Sequence, residues 1–408
     1  MFYGWLIVGA AFVTLCINTG IVFYSFGVFL STLTEAFGWS RAQVSFGFSL
    51  VTLCGAVYSP FIGRAVDRVG PRPVQLAGAV IMAVGFILLR STDTLLHFYL
   101  LMGVVVSLGS TGLGNLPSNT AVAHWFVRNR GRALGVSTAG ISMGGVIFVP
   151  LTQWLIARYG WRDAFAVLGV IIVLVAVPPV ALFMRRSPES MGLRPDGEAP
   201  PRPGIPIDLD YEIERSWTPS QAIQHRNFWL IAAAFALTVM GISATLLHQI
   251  SFLRDRGVSA AAASWLLGAT AGIGVIGKLG FGALLDRFEQ RRVIMGCFGL
   301  QALGVLCLIG PTNRATLVLY VLLYGFAMGG NATLQATVVG ECFGRLHYGS
   351  IAGRMSPVIV VAQALGIPLT GAIRDAVGSY VPAFIVIILG SCAAVACIAR
   401  LDPQAKPR

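Results

Sequence analysis

Lys278 is one of only two lysines in this 408-residue sequence, and it stands in the otherwise uncharged run "GATAGIGVIGKLGFGALL". An unpaired cation inside hydrocarbon costs about 2.5–3.5 kcal/mol on insertion scales, so its head must reach water or answer a negative charge. Lys278 lies four positions before Gly282, about 6 Å of helical rise from a charged loop. That placement lets it snorkel to the headgroups. It also shares an i, i+4, i+8 stripe with Thr270 and Gly274, which sets small residues beside the cation. Capture of a carboxylate by a point charge is the chemistry this second placement offers, and spacing alone leaves both readings open.

His248, with Gly241, Thr245 and Phe252 on its face, is a second titratable group in an apolar run. Histidine changes charge between about pH 5 and 8. No Asp or Glu falls clearly inside such a run, Glu341 coming nearest. His248 is therefore the candidate proton carrier, set against the plainer reading of a satisfied hydrogen-bonding group; a substrate protonated beside Lys278 is the other carrier. Further polar stripes are Asn115 with Thr111 and Ser118, Asn331 with Tyr324 and Gln335, and Tyr24 with Asn18, Thr19 and Ser25. They can line a cavity, or join helices at roughly 0.6 kcal/mol per contact. Pro117, Pro150 and Pro368 can kink the segments that carry them. No nucleophile, metal cluster or nucleotide-binding motif appears, so the sequence predicts no enzyme activity, metal or cofactor.

The elements that hold these residues follow from composition. Hydrophobic residues make up 56% of the chain and charged ones 11%, too little polar surface to coat a soluble globule. Runs of about 20 apolar residues, enough to cross roughly 30 Å of hydrocarbon, recur about twelve times. They fall at 5–30, 43–62, 74–90, 96–123, 133–156, 164–184, 227–252, 260–281, 293–310, 315–340, 351–373 and 380–399. A lipid-exposed backbone must satisfy its own hydrogen bonds, so each run is predicted as a helix. The expected fold class is an all-α membrane protein with twelve transmembrane helices in a lipid bilayer.

A net charge of +12 would suggest nucleic acid in a soluble protein, but here the placement of charge decides. With a cytoplasmic N-terminus, alternating loops put Arg41, Arg90, Arg158, Arg162, Arg254, Arg256, Arg314 and Arg374 outside. Of the 29 Lys and Arg, these eight and Lys278 leave twenty on the inner side. That positive-inside bias predicts cytoplasmic termini and no nucleic-acid partner. "MFYGWLIVGA" lacks a basic n-region and a cleavage-like site, so the first run is expected to be a retained span and not a signal peptide. The seven cysteines show no paired spacing, which indicates neither zinc nor a disulfide framework.

Between Met184 and Phe228 the chain turns rich in Pro and charge and cannot cross a bilayer. It predicts a cytoplasmic linker, 185–226, between six spans in 1–184 and six in 227–408. The acids Asp208, Asp210, Glu212 and Glu214 read as a solvated part of it. In "TPSQAIQ", Thr218 as N-cap, Pro219 at the first position and Gln221 closing a capping box predict a short helix.

The halves repeat one another. "GRAVDRVGPR" from Gly63 and "GALLDRFEQR" from Gly282 both spell Gly, three residues, Asp-Arg, three residues, Arg, 219 positions apart. "GLGNLPSNTAVAHWFVR" closes the fourth span and "MGGNATLQATVVGECFGR" the tenth, with Gly114-Asn115 matching Gly330-Asn331 and Phe126 and Arg128 matching Phe343 and Arg345. The repeat position of Lys278 is Ser59, so the loop does not itself demand the cation. Parallel repeats of this kind are a transporter plan, with cargo bound near the midplane.

The first loop resembles the signature G-x3-D-R-x-G-x-R of major facilitator transporters at Gly63, Asp67, Arg68, Gly70 and Arg72. The second keeps Gly282, Asp286 and Arg287 but has Glu289 in place of the later Gly. "HWFVRNRGRALGVSTAGISMGG", through Trp125, Phe126, Arg128, Arg130, Ala133, Gly135, Ala139 and Gly140, resembles the block opening the fifth helix in the monocarboxylate transporter family. "FGRLHYGSIAG", "YGW" and "SPESMGLRPDG" also look like its prokaryotic members, including oxalate:formate-type exchangers. The resemblance implies Asp-Arg loops that latch the cytoplasmic side. It also implies that an eighth-helix cation, here Lys278 where Arg is usual, binds a substrate carboxylate, and that the seventh-helix histidine lines the cavity. The family's mammalian aspartate, four residues before the cation, is Gly274 here, the first helix has no Lys or Arg where relatives have a lysine, and Val358 to Ile373 of the eleventh helix carries no cation.

One intramembrane cation balances one carboxylate. The expectation is thus a proton-linked carrier of a lactate- or pyruvate-like monocarboxylate, monomeric, in the bacterial inner membrane. Carboxylate:carboxylate exchange is the alternative. Drug efflux fits less well, because "GISMGGVIFVP" lacks the Gly-Pro pair of drug antiporters, and a ligand sensor would need an output surface beyond the short linker.

Overall fold

The computed structural model describes residues 2–197 and 216–402. The linker acids Asp208, Asp210, Glu212 and Glu214 lie outside that range. Every described element is helical, and eleven helices among the described residues are long and apolar enough to cross a membrane. The chain forms two compact units, 1–217 with 343–354, and 218–342 with 355–408.

The first unit contains α1 (Gly4–Asn18), α2 (Phe26–Phe37), α3 (Arg41–Val69), α4 (Pro71–Leu89), α5 (Leu95–Leu100), α6 (Ser107–Leu113), α7 (Asn115–Trp125) and α8 (Arg130–Phe183). Local chemistry sets the ends. Gly38 closes α2 at φ 68°, Ser40 and Gln43 form the capping box of α3, and Pro71 opens α4 at a position where its missing N–H costs nothing. The predicted runs 133–156 and 164–184 appear as one 54-residue element, α8, broken at Gly160, whose φ of 80° and ψ of 164° are not helical. Two π-helical stretches, Thr19–Tyr24 and Leu101–Val106, interrupt the first and fourth apolar runs.

The second unit contains α9 (Pro219–Gln224), α10 (Arg226–Asp255), α11 (Ala260–Leu285), α12 (Gln290–Ile309), α13 (Arg314–Phe343), α14 (Tyr348–Val377) and α15 (Val381–Ala399). Residues of α14 up to Arg354 cluster with the first unit. Thr218 and Gln221 build the capping box of α9.

Small residues let these helices approach at backbone distance, the packing device that replaces the hydrophobic effect in lipid. A Cβ at Gly140 or Gly144 of α8 would land on the carbonyl of Phe12 or Cys16 of α1. In the second unit a Cβ at Gly277 of α11 would meet the carbonyl of Phe326, and one at Gly329 of α13 that of Gly274. The sequence repeat recurs in this packing. Gly55 of α3 lies against Thr111 and Ser107, and its counterpart Gly274 lies against Met328 and Gly325. First and fourth spans also pair antiparallel in each half, through Thr14 and Ser118 at 3.1 Å and through Asn331 and Thr238 at 3.1 Å.

Arginines close the helix ends away from the Asp-Arg loops. Arg162 donates to the carbonyls of Arg90 and Thr92 and pairs with Asp93 at 2.8 Å, and Arg256 donates to the carbonyls of Ile309 and Gly310. These are unsatisfied carbonyls at the ends of α4 and α12, where a cation is favoured.

Replacing Gly144 by Ala forces the α1–α8 crossing apart and is expected to lower thermal stability by about 1–3 kcal/mol, the cost of overpacking. Gly9→Ala, where a Cβ meets nothing within 4 Å, should leave the melting temperature of the same detergent-solubilised protein unchanged or slightly raised.

Candidate functional site

Lys278 is buried in the second unit, only 9% exposed. That burial is not what a side chain reaching the headgroups would show. The small residues of its stripe are occupied by protein, since Gly274 and Gly277 press on α13 and Thr270 is buried, donating to the Leu266 carbonyl at 2.8 Å.

His248 is half-buried on another face of α10. Its Nε2 lies 3.0 Å from the Ile367 carbonyl and its ring 5.4 Å from that of Tyr380. A carbonyl can only accept, so Nε2 carries the proton and Nδ1 is the basic nitrogen. Asn331 is buried and donates to Thr238, which makes it a joint between α13 and α10. Tyr324 is buried as well, stacked at 5.4 Å on Tyr320.

In the first unit the polar stripes divide. Ser118 is buried between Thr14 and Gln75, and Ser25 bonds the carbonyls of Gly20 and Phe148 while accepting from Thr152. Both are helix joints. Tyr24 is 44% exposed, its ring against Gly145, and Asn115 is exposed. Asn115 opens α7 directly after a break at Gly114, where ψ is −142°. Pro117 supplies no N–H for the Leu113 carbonyl, and the amide of Asn18 packs into the break.

The Asp67 carboxylate accepts from the backbone N–H groups of Gly349 at 3.0 Å and Ser350 at 2.7 Å, capping the start of α14. Gly63 is there because a Cβ would strike the carbonyl of Gly349. Arg68, Arg72 and Arg128 are exposed, whereas Arg130 is buried and donates to the carbonyls of Phe126 and Ala123. In the second loop Gly282 is buried, Asp286 caps the end of α11, and Arg287 is exposed.

Sequence reasoning passed over two acids after α8. Glu189 pairs with the buried Arg345 at 2.6 Å, and Arg345 also donates to the His124 carbonyl at 2.9 Å. Asp196 accepts from the backbone N–H groups of Val127, Arg128 and Asn129 at 2.8, 2.7 and 3.0 Å, ahead of α8. Both acids sit in "SPESMGLRPDG", and the positive φ of Asp196 is a feature no sequence spacing announces. Among the described residues no cluster of His, Cys, Asp and Glu is arranged to hold a metal.

A family profile described as the Major Facilitator Superfamily matches residues 10–250 and 235–408. The chain belongs to that superfamily. It is a multi-pass membrane protein and a secondary transporter, not an enzyme. Among curated proteins it is 27% identical over 390 residues to monocarboxylate transporter 13 of Rattus norvegicus, covering 94% of this chain and 85% of the relative. It is 23% identical over 395 residues to monocarboxylate transporter 2 of Homo sapiens, covering 93% and 81%. Among solved structures it shares the fold of the E. coli fucose:proton symporter, with a TM-score of 0.72, 15% identity and 97% of each chain covered. A proton:xylose symporter superposes with a TM-score of 0.75 at 15% identity, covering 99% of this chain and 96% of that one.

Glu189 yields a pH prediction. Burial alone would raise its carboxyl, but hydrogen bonds from Ser187 and its own backbone, with the charge of Arg345, outweigh that and hold it below the usual range. A carboxylate lowered in the fold stabilises above its ordinary pKa of about 4.3, and the gain fades as pH falls below that value. Glu189→Gln should therefore lower the melting temperature at pH 7, and the gap to the wild type should narrow as the melts are taken into acid.

Proposed function

We propose that this chain carries a small monocarboxylate of the lactate or pyruvate type, together with a proton, across the bacterial inner membrane by alternating access. Counting α8 as two spans on either side of Gly160 gives twelve. They divide into bundles 1–184 and 227–408 joined by a cytoplasmic linker, 185–226, with both termini cytoplasmic and the protein a monomer. The observation that carries the cargo assignment is the burial of Lys278 on α11. A buried ammonium attracts an arriving anion more strongly than one in water does, and one such charge suits one carboxylate. The relatives named as monocarboxylate transporters support the same class.

As a lysine, Lys278 holds the anion as a point charge, without the two-pronged clamp an arginine would give. Tyr24 and Asn115 remain exposed and fit cargo contact, while Asn331 serves it through the α10–α13 joint. His248 supplies the proton through Nδ1. The Asp67 cap of α14 acts as a latch with Arg68 and Arg72, and Asp286 and Arg287 serve the second half in the same way; Arg128 and Arg130 brace the loop before α8.

Lys278→Gln should abolish saturable uptake of radiolabelled lactate or pyruvate into proteoliposomes, and unchanged uptake would remove the residue from the site. His248→Gln should flatten the pH dependence of that uptake. A retained proton-driven profile would assign the proton to the cargo instead.

A further inference from the structure

We propose that the second unit contains an internal hydration site between α10 and α13, in which bound water joins Thr245, Gln249 and Tyr324. The inference rests on the interior of this unit alone and does not depend on the cargo.

The two helices run antiparallel and carry matched polar residues. Thr238 is bonded to Asn331, Thr245 faces Tyr324, and Gln249 takes a hydrogen bond from Tyr320. Thr270 of α11 abuts the Tyr320 hydroxyl from the side, and Gly304 of α12 closes the back of Tyr324. The rungs at each end are bonded directly, but the region between them is not. The Thr245 and Tyr324 hydroxyls face one another without full hydrogen-bond geometry, Gln249 Nε2 has no partner among the described residues, and all three atoms are buried. The unmet donor of Gln249 and the two loosely facing hydroxyls lie on adjoining rungs of one seam and call for a shared partner, because a buried donor left unmade is costly.

The donor set selects the partner. Gln249 Nε2 can only donate, while the two hydroxyls donate or accept. A metal cation would be repelled by the amide hydrogens, and an anion would find no charge among these groups. Water, with two hydrogens and two lone pairs, satisfies all three, and buried water makes about three such bonds. Gly325 packs on the Thr270 carbonyl, so Tyr324 sits level with Thr270, about 12 Å of helical rise from Lys278. That separates the hydration site from the cation. A seam joined by water can exchange partners as α10 shifts against α13, which a direct weld could not.

The test is brief radiolysis of the full chain in nanodiscs in heavy-oxygen water, read by mass spectrometry, because radicals formed from bound water label the side chains that hold it. Tyr348, equally buried at 2% exposure, is the internal control. Tyr324 should take up label several-fold faster than Tyr348, and Thr245→Val with Gln249→Leu should bring it down to the control. Labelling of Tyr324 no faster than Tyr348 overturns the site in the wild type alone, whatever the variant does. Loss of the Tyr324 label on loading with lactate or pyruvate also overturns it, by making the seam part of a cargo site.

Discussion

Hydrocarbon offers a peptide group no hydrogen bond, so every interruption of a helix inside the membrane must be repaired by the protein itself. This requirement organises the chain. The π-helical stretch after α1 is stapled by Ser25, which bonds Gly20 and Phe148 and is itself bonded by Thr152. Pro117 leaves the Leu113 carbonyl without its ladder partner, and the helix breaks at Gly114, where Asn18 packs. The carbonyls at the end of α7 are taken by Arg130 and Arg345. Irregular backbone in a transporter is tolerated where side chains or a cavity serve it, and the exposed candidates Tyr24 and Asn115 lie at two of the irregular points of the first unit.

Charge obeys a related rule. Asp67 is matched by two backbone N–H groups and Arg345 by an acid and a carbonyl, so these charges bind structure together. The contrast with Lys278 is one of position: it lies between packed glycines on α11, where the surrounding chain is apolar. Groups at helix ends hold the fold. A cation buried within a span, as Lys278 is, can also answer something that comes and goes.

The spans, the repeated Asp-Arg loops and the capping box of α9 were legible in sequence because each depends on local spacing. Run length marks a helix, and Thr218 and Gln221 mark its start. The sequence could not separate Ser118 from Asn115 or Ser25 from Tyr24, because neighbours on one helix face different partners and only packing tells which. Gly274 reads in the sequence as a small residue beside a cation, and only the fold shows it as a contact with α13. Asp196 was invisible for another reason: it reads backbone N–H groups, which every residue at 127–129 but proline would supply.

That last contact fixes where slack in the connecting segment can begin. Three hydrogen bonds anchor Asp196 to the start of α8. Chain inserted between Phe183 and Asp196 would strain that anchor or pull it loose, while chain added after Gly197 would leave it intact. A reporter domain spliced into this protein therefore belongs downstream of the anchor, where its motion is not passed to the helix that crosses α1.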